Sequence, residues 1–365
     1  MNLPSQENLD TVHLQRLFDN MSECYKLFWF QAIVEEVYAG KRTLQYNDLI
    51  NNMIADAWYM VTEYRLNLGP ADTLEDLVHY AQKLLGLKSS EKKNVVIAAI
   101  NSSADKKLLV RKLTLTYHVP YRLQAPFLHN LKGESWYGSK NDLIARINSY
   151  DGLIYRFDNI AGLKSVITVE ESWAQYICSN YEIIMGWIQY NMIQYLQRRN
   201  PSVPGIPNKL APPQERQLEK VKKYWRAILT VEPMQEIYAG VELDGSSISI
   251  DHFVPWSYVA HDELWNLHPT TKSINSSKSN RLPDWDLYFS RLSRLEYHAY
   301  QLMWKNEQIH TEFEKCAKDH INSPDVRNKL YQSGLSENSF TQQLQEIIYP
   351  VYNAAQNLGF DRWKL

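Results

Sequence analysis

Between Ile250 and Pro283 the chain reads IDHFVPWSYVAHDELWNLHPTTKSINSSKSNRLP. Asp251 and His252 end a strand-like run, Asn266 follows in a Trp-Asn-Leu triplet, and Asn275 opens Asn-Ser-Ser-Lys. These types suit hydrolysis of a phosphodiester. That reaction needs a base for water, a cation for the charge that builds on phosphate and leaving oxygen, and a frame that holds both in line. His252 suits the base, because an imidazole titrates near pH 6.5. Asp251 offers a hard oxygen ligand for Mg²⁺, and Asn275 a neutral amide oxygen. An ion held by those two keeps several waters and room for phosphate oxygens, the usual state of Mg²⁺; Mn²⁺ is the alternative ion. Lys278, one turn beyond Asn275, can reach a phosphate. His261 and His268 are possible further ligands, although a solvent-facing or loop-bonding histidine is the commoner case.

The elements that must position these groups are short. Ser246 to Val254 alternates, with Ile248 and Ile250 on one face and Ser247, Ser249 and Asp251 on the other, which predicts a half-buried strand. Asp244-Gly245 is a turn signal, with Gly240-Val241-Glu242-Leu243 as a possible partner strand. Pro255 removes a donor and ends pairing. Ser257 to Glu263 reads as a loop, Leu264 to Pro269 as the returning strand, and Thr271 to Leu282 as a helix. Neighbouring strand residues point to opposite faces, so Asp251 and His252 converge only where the strand bends or twists at its end.

Strand, loop, strand, helix, with Asp251, His252, Asn266, Asn275, Lys278 and Pro283 at these spacings, resembles the HNH family of ββα-metal nucleases. It is similar to the zinc-free HNH domain of the type II CRISPR effector nuclease. The resemblance implies a ββα core at about 237–283 and a nucleic-acid substrate, with DNA favoured over RNA. It implies catalytic roles for Asp251, His252 and Asn275, a metal held by Asp251 and Asn275, and support from Asn266, which braces the backbone near the histidine. Many relatives carry zinc-binding Cys pairs. Here Ile237-Tyr238-Ala239-Gly240 stands where the first pair often lies, and no Cys occurs between 179 and 315. No structural zinc is expected, and packing by Tyr238, Trp225 and Trp265 has to take its place.

The 365 residues carry a net charge of −2, so any grip on nucleic acid has to be local. Arg198, Arg199, Lys209, Arg216, Lys220, Lys222, Lys223 and Arg226 stand against only Glu215 and Glu219. From this run Lys222, Lys223 and Arg226, together with Lys272, Lys278 and Arg281 in the core, are the candidate nucleic-acid contacts. A solvated helix face with a polar linker explains the same run. Three scattered cysteines form no disulfide framework. The N-terminus has no signal-peptide pattern and no apolar run spans a bilayer, so a cytoplasmic protein without membrane contact is expected.

Length predicts about two domains. The fold expected is mainly α: a helical domain over 1–199, a Pro-rich linker over 200–213 with five Pro and one Gly, and an HNH domain with flanking helices over 214–365. Apolar spacing predicts helices over 10–40, 46–66 and 74–85, two within 90–117, then 141–148, 170–196, 215–229, 285–306, 307–321 and 338–357. Ser323-Pro324 reads as a separator among these C-terminal helices. Residues 155–167 alternate and read as extended. Pro126, Gly133 and Gly138 mark a loop-rich section. Tyr117 to Arg122 is a polar-aromatic cluster able to stack a base, though a loop packed on the helices is the plainer reading. The helical domain would recognise a protein partner, a ligand or DNA, form an oligomer, or hold the nuclease in check. A bacterial anti-phage or restriction role follows by fold-level analogy. The rival readings are a nucleic-acid-binding subunit with an inactive finger, and an assembly subunit that cuts only with a partner.

Overall fold

A computed structural model describes residues 2–19, 21–128, 131, 136, 139–212 and 218–365. Gly133, Gly138, Pro213, Glu215 and Arg216, named above, lie outside the described residues. The fold is mainly α, with three small sheets among the described residues. The chain divides into two compact units. One takes residues 1–201 and 209–212, the other 202–208 and 213–365.

The first unit contains α1 (Thr11–Gln15), α2 (Tyr25–Tyr38), β1 (Thr43–Gln45), α3 (Tyr46–Thr62), α4 (Thr73–Leu85), α5 (Lys93–Ser102), α6 (Lys106–Thr114), α7 (Val119–Arg122), α8 (Lys140–Asn148), β2 (Tyr155–Asn159), β3 (Val166–Val169), α9 (Glu171–Ser179) and α10 (Tyr181–Arg199). α4 shows why such helices start and stop. Asp72 accepts from the amides of Leu74 and Glu75, and Gly86 turns left-handed at φ 63° to end it. The core is aromatic: Trp29, Trp58 and Trp173 are fully buried, and Trp29 meets Tyr46 edge-on.

Two long helices expected from apolar spacing are each broken. Residues 10–40 split into α1 and α2, because the turn between them buries Leu17 and Phe18 and so preserves the apolar stripe without a helix. Residues 170–196 split at Asn180, whose side-chain amide donates to the Tyr176 carbonyl and competes with the helical ladder. The extended reading of 155–167 resolves into β2 and β3, paired antiparallel, with β1 added on the far edge of β3. β1 has a single buried residue, Leu44, too little for a period to show. The Tyr117–Arg122 cluster is packed only in its second half: Tyr155 Oη donates to the Pro120 carbonyl and Tyr121 stacks on Phe157, while Tyr117 and His118 are exposed.

Lys112 on α6 is buried and donates to Asn47 of α3. Burial pushes its ammonium down to about 8. An unfolded lysine titrates near 10.4. Across that window the unfolded chain keeps a proton that the folded chain has released, so stability rises with pH. The urea midpoint of the wild type should therefore climb between pH 8 and about 10.4 relative to Lys112→Met. Parallel curves for the two proteins would contradict this assignment.

The second unit contains α11 (Glu219–Val231), β4 (Ser249–His252), α12 (Trp256–Val259), β5 (Leu267–Thr270), α13 (Lys272–Lys278), β6 (Leu282–Pro283), α14 (Trp285–Lys305), α15 (Glu307–His320), α16 (Pro324–Leu330), α17 (Glu337–Asn357) and β7 (Arg362–Trp363). One hydrophobic core joins Trp225 of α11, Phe253, Leu267 of β5, Phe313 of α15 and Phe340 of α17. Ser323-Pro324, expected to be a separator, instead starts α16: Ser323 caps it and Pro324 occupies its first turn. Within the Pro-rich segment Val203 and Ile206 are buried, and Ile206–Lys209 makes a 3₁₀ turn.

The expected partner strand at 240–243 is absent; a single bridge joins Gln235 and Glu242. The Glu236 carboxylate explains it. It accepts from the amides of Tyr238, Ala239 and Val241, so a side chain holds this loop where a ladder would. The helix expected to run to Leu282 stops at Lys278, because Ser279 turns left-handed at φ 51°. Leu282 and Pro283 then pair in parallel with Arg362 and Trp363. Among the described residues no helix is long and apolar enough to cross a membrane.

Candidate active site

β4 and β5 pair antiparallel, Asp251 opposite His268 and His252 opposite Leu267. α13 docks against β4 through Asn275, whose amide nitrogen donates to Ser249 Oγ (2.9 Å) and the Ile250 carbonyl (3.0 Å).

Asp251 is the hub. Its Oδ2 accepts from Tyr238 Oη at 2.9 Å. Its Oδ1 accepts from the His252 amide at 2.8 Å and from Lys278 Nζ at 3.2 Å. Lys278 Nζ also donates to the His252 carbonyl at 2.8 Å. Lys278 and Asp251 side chains are 1% and 5% exposed. The lysine therefore does not lie on the surface to meet a phosphate. It is a buried counter-charge, because α13 is too short to carry its last turn clear of β4. Burial pulls the Lys278 ammonium down, and Asp251 opposes that pull. Burial, reinforced by Asp251, pushes the Tyr238 phenol well up.

His252 ends β4 with its ring 5% exposed, and its Nε2 lies 2.8 Å from Asp262 Oδ1. His268 is not solvent-facing. It is fully buried on β5, since its strand position aims it at Asp251. Its Nε2 is 3.7 Å from Asp251 Oδ2, too far for a hydrogen bond, and neither ring nitrogen has a partner among the described residues. Burial outweighs the carboxylate and lowers the ring to about 4, so it is neutral. His261 is half-buried, its ring against Trp265.

Asn266 is fully buried. Its side chain accepts from the Val254 amide (2.7 Å) and donates to the Val254 carbonyl (2.9 Å), and its own carbonyl receives the Phe253 amide. It thus fastens the chain just past His252. Asn266→Ala should cost about 1–3 kcal/mol, because two buried backbone groups lose their partner. An unchanged urea midpoint would contradict that.

The basic candidates are divided between the two units. Arg198, Arg199 and Lys209 belong to the first unit, and Lys220 to Arg226 to the second. Lys220 pairs with Asp319 (2.6 Å) and Lys222 with Glu219 (2.7 Å). Arg226 donates to the Gly245 carbonyl, and Arg281 to those of Lys278 and Ser277. Lys223 and Lys272 are exposed. The contacts that sequence reasoning missed are Asp262 on His252, Tyr238 on Asp251 and Glu236 in its loop. An acidic loop residue such as Asp262 carries no local signal; only the fold brings it to the ring.

Residues 236–284 match the family model described as HNH endonuclease. The segment is an HNH endonuclease domain. No curated protein and no solved structure matches the chain. The HNH domain spans β4, β5 and α13 with the Glu236 loop before them. Such a domain implies nuclease activity and a nucleic-acid substrate. Among the described residues no cluster of three or more His, Cys, Asp or Glu could hold a metal. A carboxylate and an amide oxygen are donor types that a hydrated hard cation takes, but both oxygens of the buried Asp251 already accept hydrogen bonds, from Tyr238, the His252 amide and Lys278.

Proposed function

We propose that the chain is a divalent-metal-dependent endonuclease that hydrolyses phosphodiester bonds, DNA in preference to RNA. The observation that carries this reading is the Asp251–Lys278–His252 cluster, in which a buried carboxylate and the candidate base share one clamp beside Asn275. In this reading His252 takes the proton of the attacking water. Asp251 and Asn275 hold Mg²⁺, or Mn²⁺ in its place, and when bound the cation supplies Lewis-acid stabilisation of charge on the phosphate and leaving oxygen. Tyr238 and the Asn266 clamp keep the carboxylate and the histidine backbone from shifting as that charge develops. Among the candidate contacts Lys223, Lys272 and Arg281 are exposed and meet the substrate backbone in this reading.

Supercoiled plasmid and an RNA of matched sequence, each incubated with the pure protein, test it. Mg²⁺ should allow cutting of the plasmid first, and EDTA should stop it. Failure to cut either with Mg²⁺ or Mn²⁺ would overturn the reading for the isolated chain. A second reading, cleavage only with a partner, is favoured by one observation: the His252 ring is nearly closed off. It gains if cutting appears only when another macromolecule is added.

A further inference from the structure

One nitrogen of His252 serves as the base in the reading above. The other has a partner of its own. Asp262 Oδ1 lies 2.8 Å from Nε2 and comes from ten residues further along the chain. Asp262 follows α12, past a left-handed turn at Ala260 (φ 54°). No strand pairing holds this stretch. The end of α15 holds it instead. His320 Nδ1 donates to the Asp262 carbonyl at 2.7 Å. The next residue, Glu263, accepts from the Asn322 amide at 3.2 Å and from its side-chain nitrogen at 2.6 Å. Both anchors are outside the span that matches the HNH family.

We propose that Asp262 is a positioning residue that fixes the tautomer of His252, and that the end of α15 sets Asp262 in place. The inference rests on His252 being the base. A carboxylate can only accept, so Nε2 carries the ring proton and the basic lone pair is on Nδ1. As water attacks, its oxygen bonds to phosphorus and its proton passes to Nδ1. The bond from phosphorus to the leaving oxygen breaks, and that oxygen takes a proton from solvent. Asp262, partly exposed, steadies the imidazolium formed in this step, as the acid of a triad does for its catalytic histidine. The flanking helices thereby contribute to the chemistry, since α15 braces the ring from outside the ββα core.

The test compares the full-length wild type, Asp262→Asn and Asn322→Ala by ¹⁵N NMR of the His252 ring and by single-turnover cleavage. Asp262→Asn keeps shape and size, and its unfolding midpoint checks folding. The wild type should show the Nε2–H tautomer. Asp262→Asn should lose that preference and cut more slowly, by up to about 10⁴-fold, the cost when the carboxylate beside a catalytic histidine becomes an amide, with KM little changed. Asn322→Ala leaves His252 and Asp262 themselves intact and should move the same readouts by less. An Nδ1–H tautomer in the wild type, or an Asp262→Asn protein with tautomer and rate unmoved, overturns the proposal. Unmoved readouts in Asn322→Ala overturn the part played by α15. If the wild type cuts nothing, the proposed function fails, while the NMR comparison still decides the role of Asp262.

Discussion

Lys278→Met should destabilise the HNH-containing unit by about 3–5 kcal/mol at neutral pH, the cost of stranding a buried charge. Methionine fills the lysine's volume, so little of the loss comes from a cavity. Asp251 is left with the Tyr238 hydroxyl and the His252 amide, and the His252 carbonyl loses a donor. Asp251→Asn/Lys278→Met should be less damaged than Lys278→Met alone, because removing both charges leaves none unpaired. The same variant probes the metal without asking for cleavage. If Asp251 binds a cation, Mg²⁺ should raise the unfolding midpoint of Lys278→Met more than that of the wild type, since it restores the missing charge and binds only the folded chain. A urea midpoint unchanged by Lys278→Met would show that the buried pair carries no stability.

His252→Ala should slow cleavage by about 10²–10⁴-fold, the range for losing a general base, with substrate binding almost unchanged. The effect should fall on kcat if, as proposed, the ring acts on the attacking water. The backbone of His252 keeps its bonds to Asp251 and Lys278 in the variant, so the fold should survive. Loss of binding in place of loss of rate would mark His252 as a substrate contact.

Much of this site was legible because its parts are local. Asp251, His252, Asn266 and Asn275 lie on consecutive short elements, and the period of two around Ile248 and Ile250 marked the strand that carries the first pair. The clamps were not legible. Lys278 looks like any helix-end lysine until β4 is known to pass beneath it. Asp262 is tied down by His320 and Asn322, more than fifty residues away. The long-helix errors share one cause. Apolar spacing records which residues are buried, and a turn that buries Leu17 and Phe18, or a kink at Asn180, leaves that record intact. The Glu236 loop failed for the opposite reason: a side chain met the backbone amides that a strand would have used.

The decisive measurement is chemical rescue of His252→Ala. Single-turnover cleavage would be followed with Mg²⁺ in rising concentrations of imidazole. If His252 is the base, cutting by the variant is slow and increases with free imidazole, while the wild type does not respond. A variant that cuts as fast as the wild type without imidazole would contradict the assignment of this HNH site.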